Sequence, residues 1–386
     1  MFKATDYYQI SRYFSAEEIL VQNTCREFVQ EKFLPIITHY HRLGKFPVEI
    51  VPELGKLGFL APTLPEQYGG AGMNNVVYGL IMQELERGDS GLRSFASVQS
   101  GLVIFPIYKF GTEEMKQKWL PALTSGQKIG CFGLTEPDFG SNPAGMMTTA
   151  QKIPGGYRIN GTKMWITNGD IAEIAIVWAK LEGKIRGFLV EKGTSGFTSQ
   201  VIEGKFSLRA SDTAELIFDD CVIPKENLLP GSDGLKSPLQ CLTQARFSIA
   251  WGAIGAAMAC YEESLNYAKT RVQFEKPIAA YQITQEKLVY MLTEITKAQL
   301  LAYHLAKLKD EQRLKPSQVS LAKRNNVEIS LNIARLARNI LGANGISDEY
   351  CVIRHMLNLE TLYTYEGTHD IHTLIIGQDI TGLSAF

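Results

Sequence analysis

A chain of 386 residues exceeds what one ordinary core organises, so two or three domains are expected. Its 45% hydrophobic and 20% charged content is that of a globular protein with ample material to bury. Its 39 basic and 40 acidic residues nearly cancel, which removes any bulk electrostatic case for nucleic acid or an anionic membrane as a partner. Cys25, Cys131, Cys221, Cys241, Cys260 and Cys351 are scattered, without metal-ligand spacing, and read as reduced, mostly buried thiols. No metal site is expected; His369 and His372 beside Asp370 read as helix surface or a hydrogen-bonded wall. No apolar run reaches the roughly 20 residues a membrane helix needs. The opening MFKATDYYQISRYF is no convincing presequence, so the expected address is the cytoplasm, or the mitochondrial matrix for a mature eukaryotic chain.

From Glu17 to about Leu123 the apolar spacing is helical, with Ile19, Leu20, Phe28, Val29, Phe33 and Leu34 on one face. Pro35, Pro47, Pro52 and Pro62 are expected to punctuate short helices, Arg87–Ser90 to interrupt a longer one, and Thr112 to cap another. Near Cys131 the pattern changes. Asn160-Gly161 between two strand-like runs predicts a hairpin, and 175–179 and 187–190 predict strands joined by a turn at Glu182-Gly183. Phe206–Leu208 and Glu215–Phe218 predict two more. After Pro238 the helical period returns. A small-residue helix spans Ala250 to Ala259, one helix carries Leu288, Met291, Leu292 and Ile295, and another carries Ile329, Ile333, Leu336 and Ile340, stopped by Gly342. A fourth starts at Thr368, so a bundle is expected.

Four stretches carry chemistry, and each has a plain structural reading beside it. The loop Cys131–Asn142 has small residues that expose N–H groups, with the hydroxyls of Thr135 and Ser141; it can cradle a polar ring or a phosphate, or simply join domains. Trp165-Ile166-Thr167 can stack on and orient an aromatic ligand, or fill a small β core. Arg271, leading a break between helices with Gln282 beyond it, can take a pyrophosphate or meet a helix dipole. Thr364–His372, TYEGTHDIH, places Glu366 and Gly367 just ahead of a helix N-capped by Thr368, with Asp370 in its first turn. There a carboxylate can serve as a base or be merely solvated.

Taken together and in order, FGLTEPDFGS, NGTKMWITN, RVQF with Pro277, LGANG and TYEGTHDIH strongly resemble the acyl-CoA dehydrogenase family along nearly the whole chain. The resemblance implies an α+β, mainly α fold: an N-terminal all-helical domain (1–130), a middle β-barrel domain (131–232) and a C-terminal four-helix bundle (233–386), assembled as a homotetramer. It implies FAD between barrel and bundle. Phe132, Leu134, Thr135, Gly140 and Ser141 would line one side of the isoalloxazine, and Trp165, Ile166 and Thr167 the other. Arg271 and Gln282, with Asn339, Gly342 and Ala343 from a neighbouring subunit, would hold the pyrophosphate and adenosine, and Thr368 would touch FAD. Glu366 would be the catalytic base, its backbone N–H helping to polarise the thioester carbonyl. The CoA portion would meet the segment from Leu239 to Arg246, with Gly367 and Phe386 near it.

Within the family the likeness is greatest to the glutaryl-CoA dehydrogenases, on Glu84–Ser100, Gly204–Ser211 and Asn344–Tyr350. It implies that Arg93, helped by Ser94 and Ser97, binds the distal carboxylate of glutaryl-CoA, since an unpaired arginine in an apolar pocket is costly. The alternative for Arg93 is an ordinary ion pair with Glu86 or Asp89. Tyr365 and Glu86 match the decarboxylating type, which forms crotonyl-CoA and passes electrons to electron-transferring flavoprotein in amino-acid degradation. The competing readings are a non-decarboxylating relative, a dehydrogenase for a short or branched monocarboxylic acyl group, an acyl-CoA oxidase, and a flavin-free helical scaffold.

Overall fold

Side-chain caps start most of the helices in the first third of the chain. Ser15 and Glu18 exchange hydrogen bonds in a capping box that begins α1 (Ala16–Phe28). In the computed structural model, which describes residues 4–385, α1 runs through a wide π-turn at Val29–Phe33 into α2 (Leu34–Leu43). Pro35 therefore does not break the run. It lies in the first turn of α2, where a missing N–H costs little. After α3 (Val51–Lys56), the Asn74 side chain accepts the Val77 N–H at 2.9 Å and starts α4 (Asn75–Gly88). The polar break is a single extended residue, Asp89, whose carboxylate accepts the Gly91 N–H at 2.7 Å and starts α5 (Ser90–Ser97). A second π-turn, Val98–Ile104, leads into α6 (Phe105–Phe110), and Thr112 caps α7 (Glu113–Thr124) as expected. Within that π-turn, buried Gln99 donates to the carbonyls of Leu123 and Lys128 and accepts the Gly130 N–H, which ties the helices to the first strand.

The β segment comprises β1 (Gly130–Gly133), β2 (Thr149–Ile153), β3 (Gly156–Thr167), β4 (Ile174–Leu181), β5 (Lys184–Glu191), β6 (Phe197–Val201) and β7 (Thr213–Pro224). They form one curled sheet in the order β1-β4-β2-β3-β7-β6, with β5 on the free edge of β4. Two expectations need correction. Asn160-Gly161 is no hairpin turn: both residues lie inside β3, whose two halves pair with the same strand, β7, across a bulge at that point. The chain reverses earlier, at Pro154-Gly155 between β2 and β3. Gly161, at φ 145°, is needed because a side chain there would overlap Thr148. Likewise Phe206–Leu208 forms no strand. It is a loop whose Leu208 N–H reaches the Asn358 side chain at 2.8 Å, and the missing strand is β6. Glu215–Phe218 does lie in a strand, β7, and the turn at Glu182-Gly183 joins β4 to β5.

The last third holds α8 (Lys236–Thr270), a two-residue-per-strand hairpin β8 (Val272–Gln273) and β9 (Lys276–Pro277), α9 (Gln282–Asp310), α10 (Pro316–Ile340), α11 (Cys351–Thr364) and α12 (His369–Thr381). The bundle is α8 to α11, and the Thr368 helix, α12, packs against α10. Sequence periodicity misses α11, because its buried face mixes Val352, Leu359 and Leu362 with Arg354, His355 and Asn358. The small-residue stretch of α8 acts as expected: side chains at Gly252 and Gly255 would overlap Glu86 and the Gln83 carbonyl of α4. All six cysteines are free thiols, and only Cys351 is not fully buried.

Candidate active site

Glu366 lies in the short link between α11 and α12. Thr368 caps α12 by accepting the Ile371 N–H at 3.1 Å, so the link ends on a fixed point. Glu366 itself has φ 53°, a left-handed conformation that costs a non-glycine residue on the order of 1 kcal/mol. Gly367 follows at φ 96°, where a side chain would press on His372 and Arg246. Three hydrogen bonds from buried cations hold this turn. Lys323 Nζ donates to the carbonyls of Tyr365 (3.1 Å) and Gly367 (2.8 Å), and Arg246 Nε donates to the Glu366 carbonyl (2.7 Å).

The Glu366 carboxylate is enclosed, and its Oε2 meets no hydrogen-bond partner. Burial pushes it up to about 7, with Arg93, Lys323 and Arg246 pulling the other way. A carboxyl poised there is ionised often enough at neutral pH to act, and basic enough to take a proton.

Arg93, on α5, is wholly buried. Its Nε meets Glu86 Oε2 at 2.5 Å, Nη2 donates to the Tyr365 hydroxyl, and Nη1 has no partner. Ser90 donates to the other oxygen of Glu86, Ser94 shares a 3.0 Å hydrogen bond with the Tyr365 hydroxyl, and Ser97 one of 2.5 Å with Ser248. Arg93 and Glu366 are thus joined through Tyr365, whose phenol burial pushes up to about 12. One premise is corrected here: Arg93 does not await a counter-charge, because Glu86 supplies it. The two readings of Arg93 are compatible, since the ion pair leaves Nη1 free. Asp89, the other proposed partner, pairs with Arg354 and Asn358 instead.

The Phe132–Ser141 loop is anchored from beneath. Lys163 Nζ donates to the Leu134 carbonyl (3.1 Å) and to Glu136 (2.9 Å), and Glu136 accepts the Met147 and Thr148 N–H groups. Phe132, Leu134 and Ile166 are buried as part of this support, whereas Gly140 and Ser141 are exposed. Within a bulge in β3, Trp165 has φ 63° and its ring is 58% exposed; it does not fill the β core. Among the described residues, the side chains of Thr135, Ser141, Thr167, Arg271 and Gln282 make no hydrogen bond within the chain. An exposed indole beside unspent hydroxyls fits a planar polar ring such as a flavin, and a free arginine fits its pyrophosphate.

Arg271 C-caps α8 and lines a cavity of about 320 Å³ with Gly342 and Ala343. Asn339 lies one turn back, its side chain bonded to Lys287 at 2.5 Å, and Gln282 is the exposed first residue of α9. Twenty-five residues of α8 separate Arg271 from Arg246, about 37 Å at 1.5 Å per residue. The structure therefore brings together Glu366, Arg93, Ser94, Ser97, Arg246, Gly367 and Thr368 at one place, and Arg271, Gly342 and Ala343 at another. Phe386 lies outside the described residues. Sequence reading overlooks Lys323, which sits beside Arg324 in a polar run. The signal was there: Val319, Ala322, Lys323, Asn326, Val327 and Ser330 share one helical face, and all are buried.

Comparison with known proteins agrees with this geometry. Family models for the acyl-CoA dehydrogenase N-terminal, middle and C-terminal domains match residues 15–127, 131–221 and 232–381. A crystal structure of glutaryl-CoA dehydrogenase from Mycobacterium smegmatis superposes with a TM-score of 0.98 at 50% identity, covering 100% of both chains. A second from that organism, in complex with FADH2, gives 0.98 at 47%, again over 100% of both. Human mitochondrial short-chain specific acyl-CoA dehydrogenase is 38% identical over 93% of this chain and 88% of its own length. With three domains matched in order and a flavin-suited cradle on the sheet, the chain belongs to the acyl-CoA dehydrogenase family and is an FAD-dependent enzyme.

Proposed function

We propose that this enzyme is a glutaryl-CoA dehydrogenase that oxidises and then decarboxylates its substrate to crotonyl-CoA and CO2. The observation that carries the proposal is Arg93: fully buried, joined to Glu366 through Tyr365, and holding one Nη1 without a partner. A plain fatty acyl chain offers that N–H nothing, whereas a distal carboxylate satisfies it. The M. smegmatis glutaryl-CoA dehydrogenase structures point the same way.

The chain's residues act in a defined order. The Glu366 N–H polarises the thioester carbonyl, which makes the weakly acidic α-proton removable. The Glu366 carboxylate takes that proton, and FAD, when bound, supplies the acceptor for the β-hydride. Thr135, Ser141, Thr167 and Trp165 hold the flavin ring, and Arg93, Ser94 and Ser97 hold the distal carboxylate of what is now glutaconyl-CoA. Loss of CO2 pushes the bonding electrons into the conjugated enone. Protonated Glu366 returns its proton to the resulting dienolate, and crotonyl-CoA leaves. Electron-transferring flavoprotein is the proposed acceptor of the electrons.

A second reading, a short-chain dehydrogenase for butyryl-CoA, is favoured by the Glu86–Arg93 contact, which already neutralises the arginine, and by the short-chain relative. Product analysis with the two substrates side by side separates them. Crotonyl-CoA and CO2 from glutaryl-CoA, with butyryl-CoA much the poorer substrate, is the expected result. Glutaconyl-CoA as sole product removes the decarboxylation step, and preference for butyryl-CoA removes the role of Arg93.

A further inference from the structure

The turn that carries Glu366 has an arrangement which the reaction outlined above leaves unexplained. Its three successive carbonyls, of Tyr365, Glu366 and Gly367, are all bonded by buried cations from two different helices. By contrast the Glu366 N–H meets no acceptor among the described residues. The turn is half-buried, and a peptide N–H left unpaired there is a donor on offer to a ligand.

Lys323 is 1% exposed and projects from the buried face of α10. It is a poor choice for mere packing: burial pulls its ammonium down to about 7, with Arg246 and Arg93 adding repulsion and Glu366 opposing them. What the lysine does geometrically follows from peptide planarity. In a trans peptide the C=O and the next N–H are fixed in one plane and point in opposite directions. Holding the Tyr365 carbonyl therefore aims the Glu366 N–H the other way, and holding the Gly367 carbonyl fixes the far side of the same turn. A cation on the carbonyl oxygen also polarises the amide and strengthens its N–H as a donor.

We propose that Lys323 is the positioning residue of this active site: by gripping the carbonyls on either side of Glu366, it aims and strengthens the N–H that the thioester carbonyl of the substrate accepts. This rests on the reading of Glu366 given under Proposed function. Arg246 completes the grip through the Glu366 carbonyl itself, so a residue expected at the CoA segment also works on the base-bearing turn.

The test uses flavin-loaded Lys323→Met, Lys323→Gln and Lys323→Arg proteins beside the parent. Three quantities are measured: kcat and KM for glutaryl-CoA, the visible flavin spectrum, and the infrared carbonyl stretch of bound crotonyl-CoA labelled with carbon-13 at the thioester. Lys323→Met is expected to keep its flavin and to lose roughly 100-fold in kcat, the scale of one misaimed oxyanion donor. Its KM should stay within a few-fold, and the carbonyl stretch should move toward its value in water. Lys323→Arg, which keeps the charge, and Lys323→Gln, which keeps a neutral donor, should both recover part of kcat, the arginine variant more.

Flavin-loaded Lys323→Met with kcat within a few-fold of the parent and an unmoved carbonyl stretch overturns the inference. If neither Lys323→Met nor Lys323→Gln can be obtained with flavin bound, Lys323 is a folding residue and the inference is likewise overturned. A parent inactive on every acyl-CoA tested would instead remove the proposed function. An active parent, an inactive Glu366→Gln and a normal Lys323→Met would remove this inference alone.

Discussion

Glu366, the proposed base, is also a standing cost. Its carboxyl is raised from its ordinary value to about 7, so folding favours the protonated form. The contribution to stability is thus fully present below about pH 4.5 and is lost as pH rises through 7. Turnover runs the opposite way, because the base must be ionised. Glu366→Gln is expected to keep its flavin and lose at least ~1000-fold in dehydrogenation. Its melting temperature should match the parent in acid and exceed it at pH 8. A pH series of thermal melts checks the sign, and near-normal turnover would sink the assignment of the base. Arg93 poses the complementary case. Arg93→Met strands Glu86 in a dry core and should cost about 3–5 kcal/mol in urea unfolding. Adding Glu86→Leu should restore most of that stability without restoring glutaryl-CoA turnover, which separates the arginine's pairing role from its substrate role.

Among the elements, helix existence and caps were legible in the sequence wherever one side chain set the outcome: Thr112 and Thr368 cap the helices expected of them. What stayed hidden was decided by partners distant in sequence. Asn160-Gly161 carries a hairpin's local chemistry, but the strand on both sides pairs with β7, so the pair became a bulge. Lys323 escaped notice because Arg324, Asn325 and Asn326 follow it, although Val319, Ala322 and Val327 share its helical face. Trp165 was legible as a ring on offer, but its exposure on a left-handed bulge was not. The α4–α8 contact gives a prediction at this scale. Gly252→Ala puts a methyl group into Glu86 and should destabilise by about 1–3 kcal/mol, the usual cost of overpacking. Unlike most such changes it should also depress glutaryl-CoA turnover, because Glu86 and Arg93 move together; equal loss on butyryl-CoA would argue against that link.

For the whole molecule, the division into helical, β and helical parts was readable from the changing period of the apolar residues, and assembly was not. The Glu366 turn, held by Arg246, and Arg271 lie at opposite ends of about 37 Å of α8, farther than the short ribityl linker of a flavin nucleotide reaches. If both serve FAD, they serve it from different copies of the chain, as in the proposed homotetramer. Arg271→Ala should then weaken flavin retention and oligomer together, seen as colour lost on dilution in sedimentation runs at 450 nm; flavin held equally well by monomers would count against shared sites. The long α8 gains a further meaning from this. In that arrangement it acts as a ruler whose two ends answer to different reaction centres, so its length in residues is itself heritable information. One residue inserted between Arg246 and Arg271 would swing the far end by about 100° and slide it about 1.5 Å. An exposed turn such as Glu182-Gly183 can absorb an insertion of that kind, whereas α8 can accept altered side chains but not an altered count.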